Sequence, residues 1–313
     1  MSSTAAVPPG VPPALARFLS SSPVFAQSLA GFARAAESGS PALVLGEAGS
    51  GRSTLARLLH AASPRSAAPL VEFDPASAPA SLFESELFGY RSGAFTGADR
   101  HHAGRVARAE GGTLLLDHVE ELPLPSQPKL LRLVAERRYA PLGGVDTAAN
   151  VRFVAVGAGD LERRVERGAF RRDLYHRLEV LTFRVPPLRE RGEDFAPLVA
   201  AVLDDLAERF VRPGLALSER ARSWMAAYDW PGNLRELRNV LERALLLASG
   251  EELDPKPPGD GSAAGAVRTL AESERAALVA ALAAARGHQG RAAELLGISR
   301  KGLWEKRKRL GIP

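Results

Sequence analysis

Residues 42–60 read "ALVLGEAGSGRSTLARLLH". A short apolar strand runs into a glycine loop, "GEAGSGRS" from Gly46 to Ser53, and the loop opens a helix. Glycines let backbone N–H groups turn inward around phosphates, and the helix that follows points its positive end at them. The pattern is GxxxxGK[ST] except that Arg52 stands where lysine is expected. Gly46, Glu47, Ala48, Gly49, Ser50, Gly51, Arg52, Ser53 and Thr54 are therefore the candidate nucleotide-binding residues. Arginine is not a neutral replacement. Lysine offers a compact point charge between terminal phosphates, whereas guanidinium is larger, planar and forked. The expectation is that binding survives, weakened, and that positioning of the terminal phosphate suffers.

Outward from the loop, strands and helices alternate. "GGTLLLDHVEELP", residues 111–123, ends three leucines at Asp117. Asp117 is the expected Mg²⁺ partner, through a water or the nucleotide, with Ser53 beside it. A nucleotide hydrolase usually carries a second carboxylate next, to orient the attacking water, and this chain has His118. "PSQPKLLRLVAERR" reads as an amphipathic helix and "NVRFVAVGAGDL" as another strand and turn. Strands alternating with helices predict a parallel α/β sheet. Past Pro186 the pattern becomes wholly helical. Residues 249–266, "SGEELDPKPPGDGSAAGA", have linker composition. Thr269 and Glu272 then have capping-box spacing at the start of an Ala/Leu helix.

The 313 residues hold 45% hydrophobic and 25% charged residues, so a sizeable core is available. No apolar run approaches the roughly 20 residues of a bilayer span, and the start, rich in Pro, Ala and Ser, lacks a secretory pattern. The absence of cysteine excludes disulfides and thiolate sites and fits a reducing cytosol, hence a cytoplasmic expectation with no membrane partner. Net charge is +5, but residues 266–313 carry 10 Lys/Arg against 4 Asp/Glu, a net of +6, leaving the remainder near −1. That asymmetry predicts nucleic-acid contact at the C-terminal end.

"ESELFGYRSGAFTGA", residues 84–98, ends in a small loop, Gly93, Ala94, Phe95, Thr96, Gly97 and Ala98, tipped by one aromatic. Together with the glycine loop it resembles the central domain of sigma-54-dependent transcription activators (bacterial enhancer-binding proteins), which are AAA+ ATPases. The resemblance runs from about residue 22 to the C-terminus. It implies an AAA+ P-loop parallel sheet with a helical lid, and sigma-54 contact by residues 93–98. "FRRDLYHRLEV", residues 170–180, resembles the segment that carries arginine fingers, so Arg171 and Arg177 would reach a neighbour's nucleotide across a subunit interface. "PPLRERGEDF" follows it as in the family. "WPGNLRELRNVLERAL" resembles the lid, with Arg235 in the sensor position, where an arginine stabilises phosphate charge.

Four departures from the family fall on the nucleotide chemistry: Arg52, His118, Asp74 in place of an asparagine, and Gly157 with Ala158 at the first sensor. Glu121 matches a family acid, and Glu120 replaces a family glycine. Loss of a water-orienting group typically costs about 10²–10⁴-fold, so hydrolysis is expected to be weak or absent, although His118 offers an imidazole that accepts a proton near neutral pH.

The C-terminal "GHQGRAAELLGISRKGLWEKRKRLGI" reads as helix, turn, helix. Ala292, Ala293, Leu295 and Leu296 supply a packing face, Gly297 the turn and Ser299 an N-cap. The second helix has Leu303 and Trp304 to pack, and Ser299, Arg300, Lys301, Lys306, Arg307 and Lys308 to meet DNA. It resembles the Fis-like helix-turn-helix of the same family, whose second helix enters the major groove.

The expected organisation is an arm over 1–21; an AAA+ domain over 22–248, with the α/β part to about 186 and the lid from about 187; a linker over 249–266; and a DNA-binding domain over 267–313. Expected ligands are ATP and Mg²⁺. Expected partners are sigma-54 RNA polymerase, double-stranded DNA, and copies of the chain or a competent relative in a ring. With no regulatory domain before Pro23, a signal is expected to arrive through another protein or through abundance. Two mechanisms stay open: an ATP-driven remodeller of the polymerase complex, and a binding protein that holds DNA and sigma factor.

Overall fold

The computed structural model describes residues 31–79, 81–248 and 250–258, with Gln289, Leu303 and Arg307 beyond them. Five parallel strands form the central sheet: β1 (Ala42–Gly46), β2 (Leu70–Phe73), β3 (Thr113–Leu116), β4 (Arg152–Ala158) and β5 (Leu181–Val185), in the order β2-β3-β4-β1-β5. β1, β3 and β4 are buried along nearly their whole length. This is why "ALVLG", "TLLL" and "RFVAVGA" are continuous rather than alternating apolar runs: a parallel sheet is covered by helices on both faces.

The two faces are sorted by the period-two alternation of strand side chains. Leu43, Leu45, Leu114, Leu116, Phe153 and Ala155 pack against Phe83 and Leu87 of α3 (Phe83–Phe88), Leu130 and Leu133 of α4 (Gln127–Glu136), and Leu174 and Leu178 of α6 (Arg172–Leu178). Val44, Leu115, Val154, Val156 and Phe183 face Phe32 and Ala35 of α1 (Phe32–Glu37) and Leu55, Leu58 and Leu59 of α2 (Arg52–Ala61). Between α4 and α6, the short α5 (Leu161–Glu166) follows β4. One cation lies in this second layer. Arg152, at the start of β4, donates to the carbonyls of Leu59 and Ala35 at 2.9 and 2.7 Å, fastening α1 and α2 to the sheet. Desolvation lowers its pKa to about 10, which still leaves it charged.

A third core forms the lid. α7 (Phe195–Arg209), α8 (Glu219–Ala227) and α9 (Asn233–Leu247) enclose Leu198, Leu206, Met225, Leu237, Leu241 and the fully buried Trp230, whose indole N–H donates to the Met225 carbonyl. The linker boundary moves. Residues 250–256 belong to this core: Glu252–Leu253 pairs in parallel with Ala216–Leu217, Leu253 is fully buried, and Asp254 and Pro255 accept hydrogen bonds from Ser218 and Trp224. The chain divides into compact units at Lys256 and Pro257. In the second unit Leu303 is buried and Arg307 is partly exposed. The expected arm over 1–21 and the DNA-facing Ser299, Arg300, Lys301, Lys306 and Lys308 lie outside the described residues. No helix among the described residues is long and apolar enough to cross a membrane.

Candidate nucleotide site

The glycine loop leaves the C-terminal end of β1 and enters α2. Gly49 and Gly51 take φ of 75° and 102°, left-handed values that glycine adopts without strain. Neighbouring strand ends bring the other groups. Asp117 follows β3, and its Oδ2 accepts a hydrogen bond from Ser53 Oγ at 2.7 Å, while the His118 N–H donates to its Oδ1. A carboxylate beside a hydroxyl, at the mouth of a glycine loop, is a hard-oxygen donor set that fits Mg²⁺ carried in with phosphates.

A cavity of about 570 Å³ opens there, between the sheet edge and the lid. Gly49, Gly51, Arg52, Ser53, Thr54, Asp117, His118 and Arg235 line it. The other loop residues, Gly46, Glu47, Ala48 and Ser50, stand outside its wall. Arg57, Asp205 and Arg238 also line it, and the sequence reading passed over them. Their amphipathic helix positions look like ordinary surface charge. Arg57 is held by Glu72 through two 2.7 Å bonds and Arg238 by Asp205 at 2.5 Å. Arg235 makes no salt bridge among the described residues.

The lid is bolted to the loop. Arg189 donates to both oxygens of Glu47 at 2.6 and 2.9 Å, and this hydrogen bonding holds the Glu47 carboxyl below the usual range. Asn233 donates to the Ala48 carbonyl and to Glu47, while its own Oδ1 accepts from Leu188 N–H. Leu234 N–H donates to the Gly49 carbonyl at 3.0 Å. Arg191, deeply buried, donates to the Ser50 carbonyl at 2.6 Å, and burial brings its pKa down to about 10.

The four departures are not scattered. His118 Nδ1 lies 3.1 Å from Asp74 Oδ1, yet this buried nitrogen makes no formed hydrogen bond. Arg52 borders the cavity, but its guanidinium is committed elsewhere: Nη1 donates to the carbonyls of Gly46 and Gly157. At the first sensor, a Cβ on Gly157 would press on Leu45, Val119 and Leu161 at 3.1–3.3 Å, so a polar side chain has little room.

Residues 93–98 stand apart from the cavity. They cap an antiparallel pair, Gly89–Tyr90 with His102–Ala103, that projects beyond α3. Gly93 and Gly97 have φ of 81° and 96°, and Gly93 N–H donates to the Ala98 carbonyl, closing the loop on itself. Phe95 is 44% exposed and rests edge-on against Tyr90 at 5.0 Å between ring centres. Ala98 is buried. Arg171 and Arg177 are also outside the cavity: Arg171 chelates Asp173, and Arg177 donates to the Ala135 carbonyl.

A glycine loop on the C-terminal edge of a parallel sheet, closed by a helical lid, defines a P-loop module of the AAA+ class. Residues 18–184 match the Sigma-54 interaction domain, residues 189–257 the AAA+ ATPase lid domain, and residues 269–310 the Fis family of bacterial regulatory proteins. The chain belongs to the sigma-54 interaction domain family. It is 41% identical to the hydrogenase transcriptional regulatory protein HoxA of Cupriavidus necator over 300 residues, covering 90% of this chain and 62% of HoxA. It is 41% identical over 302 residues to the alginate biosynthesis transcriptional regulatory protein AlgB of Pseudomonas aeruginosa, covering 94% of this chain and 67% of AlgB. The chain thus spans about two thirds of the length of these relatives. A crystal structure of NtrX from Brucella abortus in complex with ATP superposes with a TM-score of 0.69 at 32% identity, covering 93% of this chain and 68% of NtrX.

Proposed function

We propose that this protein is a sigma-54-linked transcription regulator that binds ATP or ADP with Mg²⁺ at the glycine loop. It contacts sigma-54 through residues 93–98, binds double-stranded DNA through residues 267–313, and hydrolyses ATP poorly. The observation that carries the reading is the paired geometry of the altered pocket. The phosphate cradle and the Ser53–Asp117 pair are intact, while Arg52 is engaged by backbone carbonyls and His118, beside Asp74, stands where a water-orienting carboxylate is expected. Mg²⁺, when bound, would neutralise phosphate charge, with Ser53 and Asp117 holding it directly or through water. Arg235 would meet the phosphates from the lid. Phosphoryl transfer depends on positioning and charge stabilisation, so withdrawing the loop cation and replacing the water-orienting carboxylate suppresses hydrolysis without abolishing binding.

Arg171 and Arg177 are exposed in the single chain, as residues serving a neighbour's site would be. The assembly we propose is a ring of copies or a mixed ring with a competent relative, in the cytoplasm where DNA and polymerase are met. The preserved Ser53–Asp117 pair and Arg235 also favour a second reading, a fully competent activator that remodels the sigma-54 polymerase complex. ATP turnover separates the two. Turnover at about 1 per second or faster, near the bottom of the usual enzyme range, overturns the impaired reading. Sigma-54 pull-down with ATP, with ADP plus a transition-state mimic, and with neither tests the loop. Thr96→Ala lowers capture if the contact exists. Equal capture by both forms in every state, mixed rings included, removes the sigma-54 contact from the proposal.

A further inference from the structure

In a lysine-bearing loop, the residue at position 52 projects a point charge toward the terminal phosphates. The Arg52 guanidinium faces a different set of partners, and the residue is only 6% exposed. Nη1 donates to the Gly157 carbonyl at 2.9 Å and to the Gly46 carbonyl at 3.0 Å, bridging the C-terminal ends of β4 and β1. Nη2 lies 3.9 Å from Glu120 Oε1. Glu120 is itself buried, and its other oxygen accepts the Ala158 N–H at 3.0 Å. The contacts close a ring: loop arginine, turn glutamate, and both residues of the first-sensor position.

Each member needs the others. A buried guanidinium requires a carboxylate to offset its desolvation, and a buried carboxylate requires a cation and donors. The planar fork of arginine serves two carbonyls and one acid at once, which a lysine ammonium on a single stem does less well. Arg52 and Glu120 are complementary to one another rather than to a nucleotide.

We propose that Arg52 and Glu120 form a matched pair that withdraws the loop's cation from the nucleotide site, so that the site takes nucleoside diphosphates and triphosphates with nearly equal affinity. The inference rests on the nucleotide-binding reading above. The groups left to the loop, its backbone amides and Ser53, address the first two phosphates. Arg57 and Arg238 on the cavity wall are neutralised by Glu72 and Asp205. The terminal phosphate therefore gains no cation from the loop and is left with Arg235 of the lid, which reaches the phosphates without the loop's fixed geometry, so the pocket discriminates only weakly between hydrolysis states.

The test is calorimetric titration of the full chain with Mg²⁺ plus either ADP or a non-hydrolysable ATP analogue. It compares wild type, Arg52→Lys, Glu120→Gly and the double variant. The wild-type affinities are expected within about threefold of one another. Arg52→Lys alone leaves that ratio unchanged, because Glu120 retains the ammonium. Arg52→Lys with Glu120→Gly raises the triphosphate preference by about tenfold, the effect of one charge-assisted hydrogen bond gained. If the glycine variants do not fold, Glu120→Gln replaces them, since it removes the charge and keeps an acceptor for the Ala158 N–H. A wild-type preference for triphosphate of about tenfold or more overturns the inference, and so does a single Arg52→Lys that matches the double variant. Failure of every folded variant to bind either nucleotide is a different result: it overturns the nucleotide-binding reading itself.

Discussion

His118 Nδ1 and Asp74 Oδ1 approach to 3.1 Å across the ends of the adjacent strands β3 and β2. Asp74 is held in place by accepting the Ala76 N–H, and His118 sits at a φ of 48°, a left-handed value uncommon outside glycine. Asp117 Oδ1 is 3.8 Å from the same nitrogen. A glutamate at 118 would face two acids. His118→Glu alone is therefore expected not to raise ATP turnover. Adding Asp74→Asn relieves one like charge and supplies an amide donor. The double variant is expected to turn over at least about tenfold faster than His118→Glu, below the range a positioned base contributes. Phosphate release measures both, and equal rates would show that the two positions are not coupled.

Gly49 sits at the contact between loop and lid. An added Cβ would lie 2.3 Å from the Gly232 carbonyl oxygen, and the φ of 75° strains any L side chain. Gly49→Ala is expected to lower Tm by roughly 5 °C, from a strain of about 1–3 kcal/mol, and to weaken nucleotide binding. Gly39→Ala, where an added Cβ meets nothing within 4 Å, is the control and leaves both unchanged.

The Glu47–Arg189 bond has a pH signature. Arg189 holds the Glu47 carboxyl below its ordinary value of 4.5. A depressed acid contributes stability that is present above the unfolded pKa and lost as pH falls through the folded one. The Tm difference between wild type and Glu47→Gln is thus expected at neutral pH, and should be lost as pH falls through the lowered folded-state pKa of Glu47. It should be small, because both side chains are well exposed to screening solvent. A difference that persists in acid would assign the effect to packing.

DNA binding is expected to reside in residues 267–313. Truncation after Gly259 removes the +6 segment and should abolish specific binding while leaving the compact unit that ends at Lys256. Affinity of the full chain should fall by about 0.9 log units per log unit of salt for each phosphate neutralised. Binding that ignores salt would contradict phosphate contact.

The strand, glycine loop and helix of residues 42–60 were legible because each is written in consecutive residues: an apolar run, glycines where the backbone must turn, and a helical repeat. Asp117 at the end of "TLLL" and the glycine-flanked Phe95 were legible for the same reason. The linker boundary was not, since a two-residue pairing such as Glu252–Leu253 is too short to show a period. Nor was the destination of the pocket's side chains. Arg52 reaches a carbonyl 105 positions away, Glu47 is held from 142 and 186 positions away, and Asp74 meets His118 across neighbouring strands. The sequence by itself determined that a P-loop sheet forms, because local propensity and apolar pattern agree along the chain. Only the tertiary structure decided where the Arg52 guanidinium goes. A parallel sheet gathers the C-terminal ends of distant strands into one place, and a buried charge takes whichever partners that place supplies.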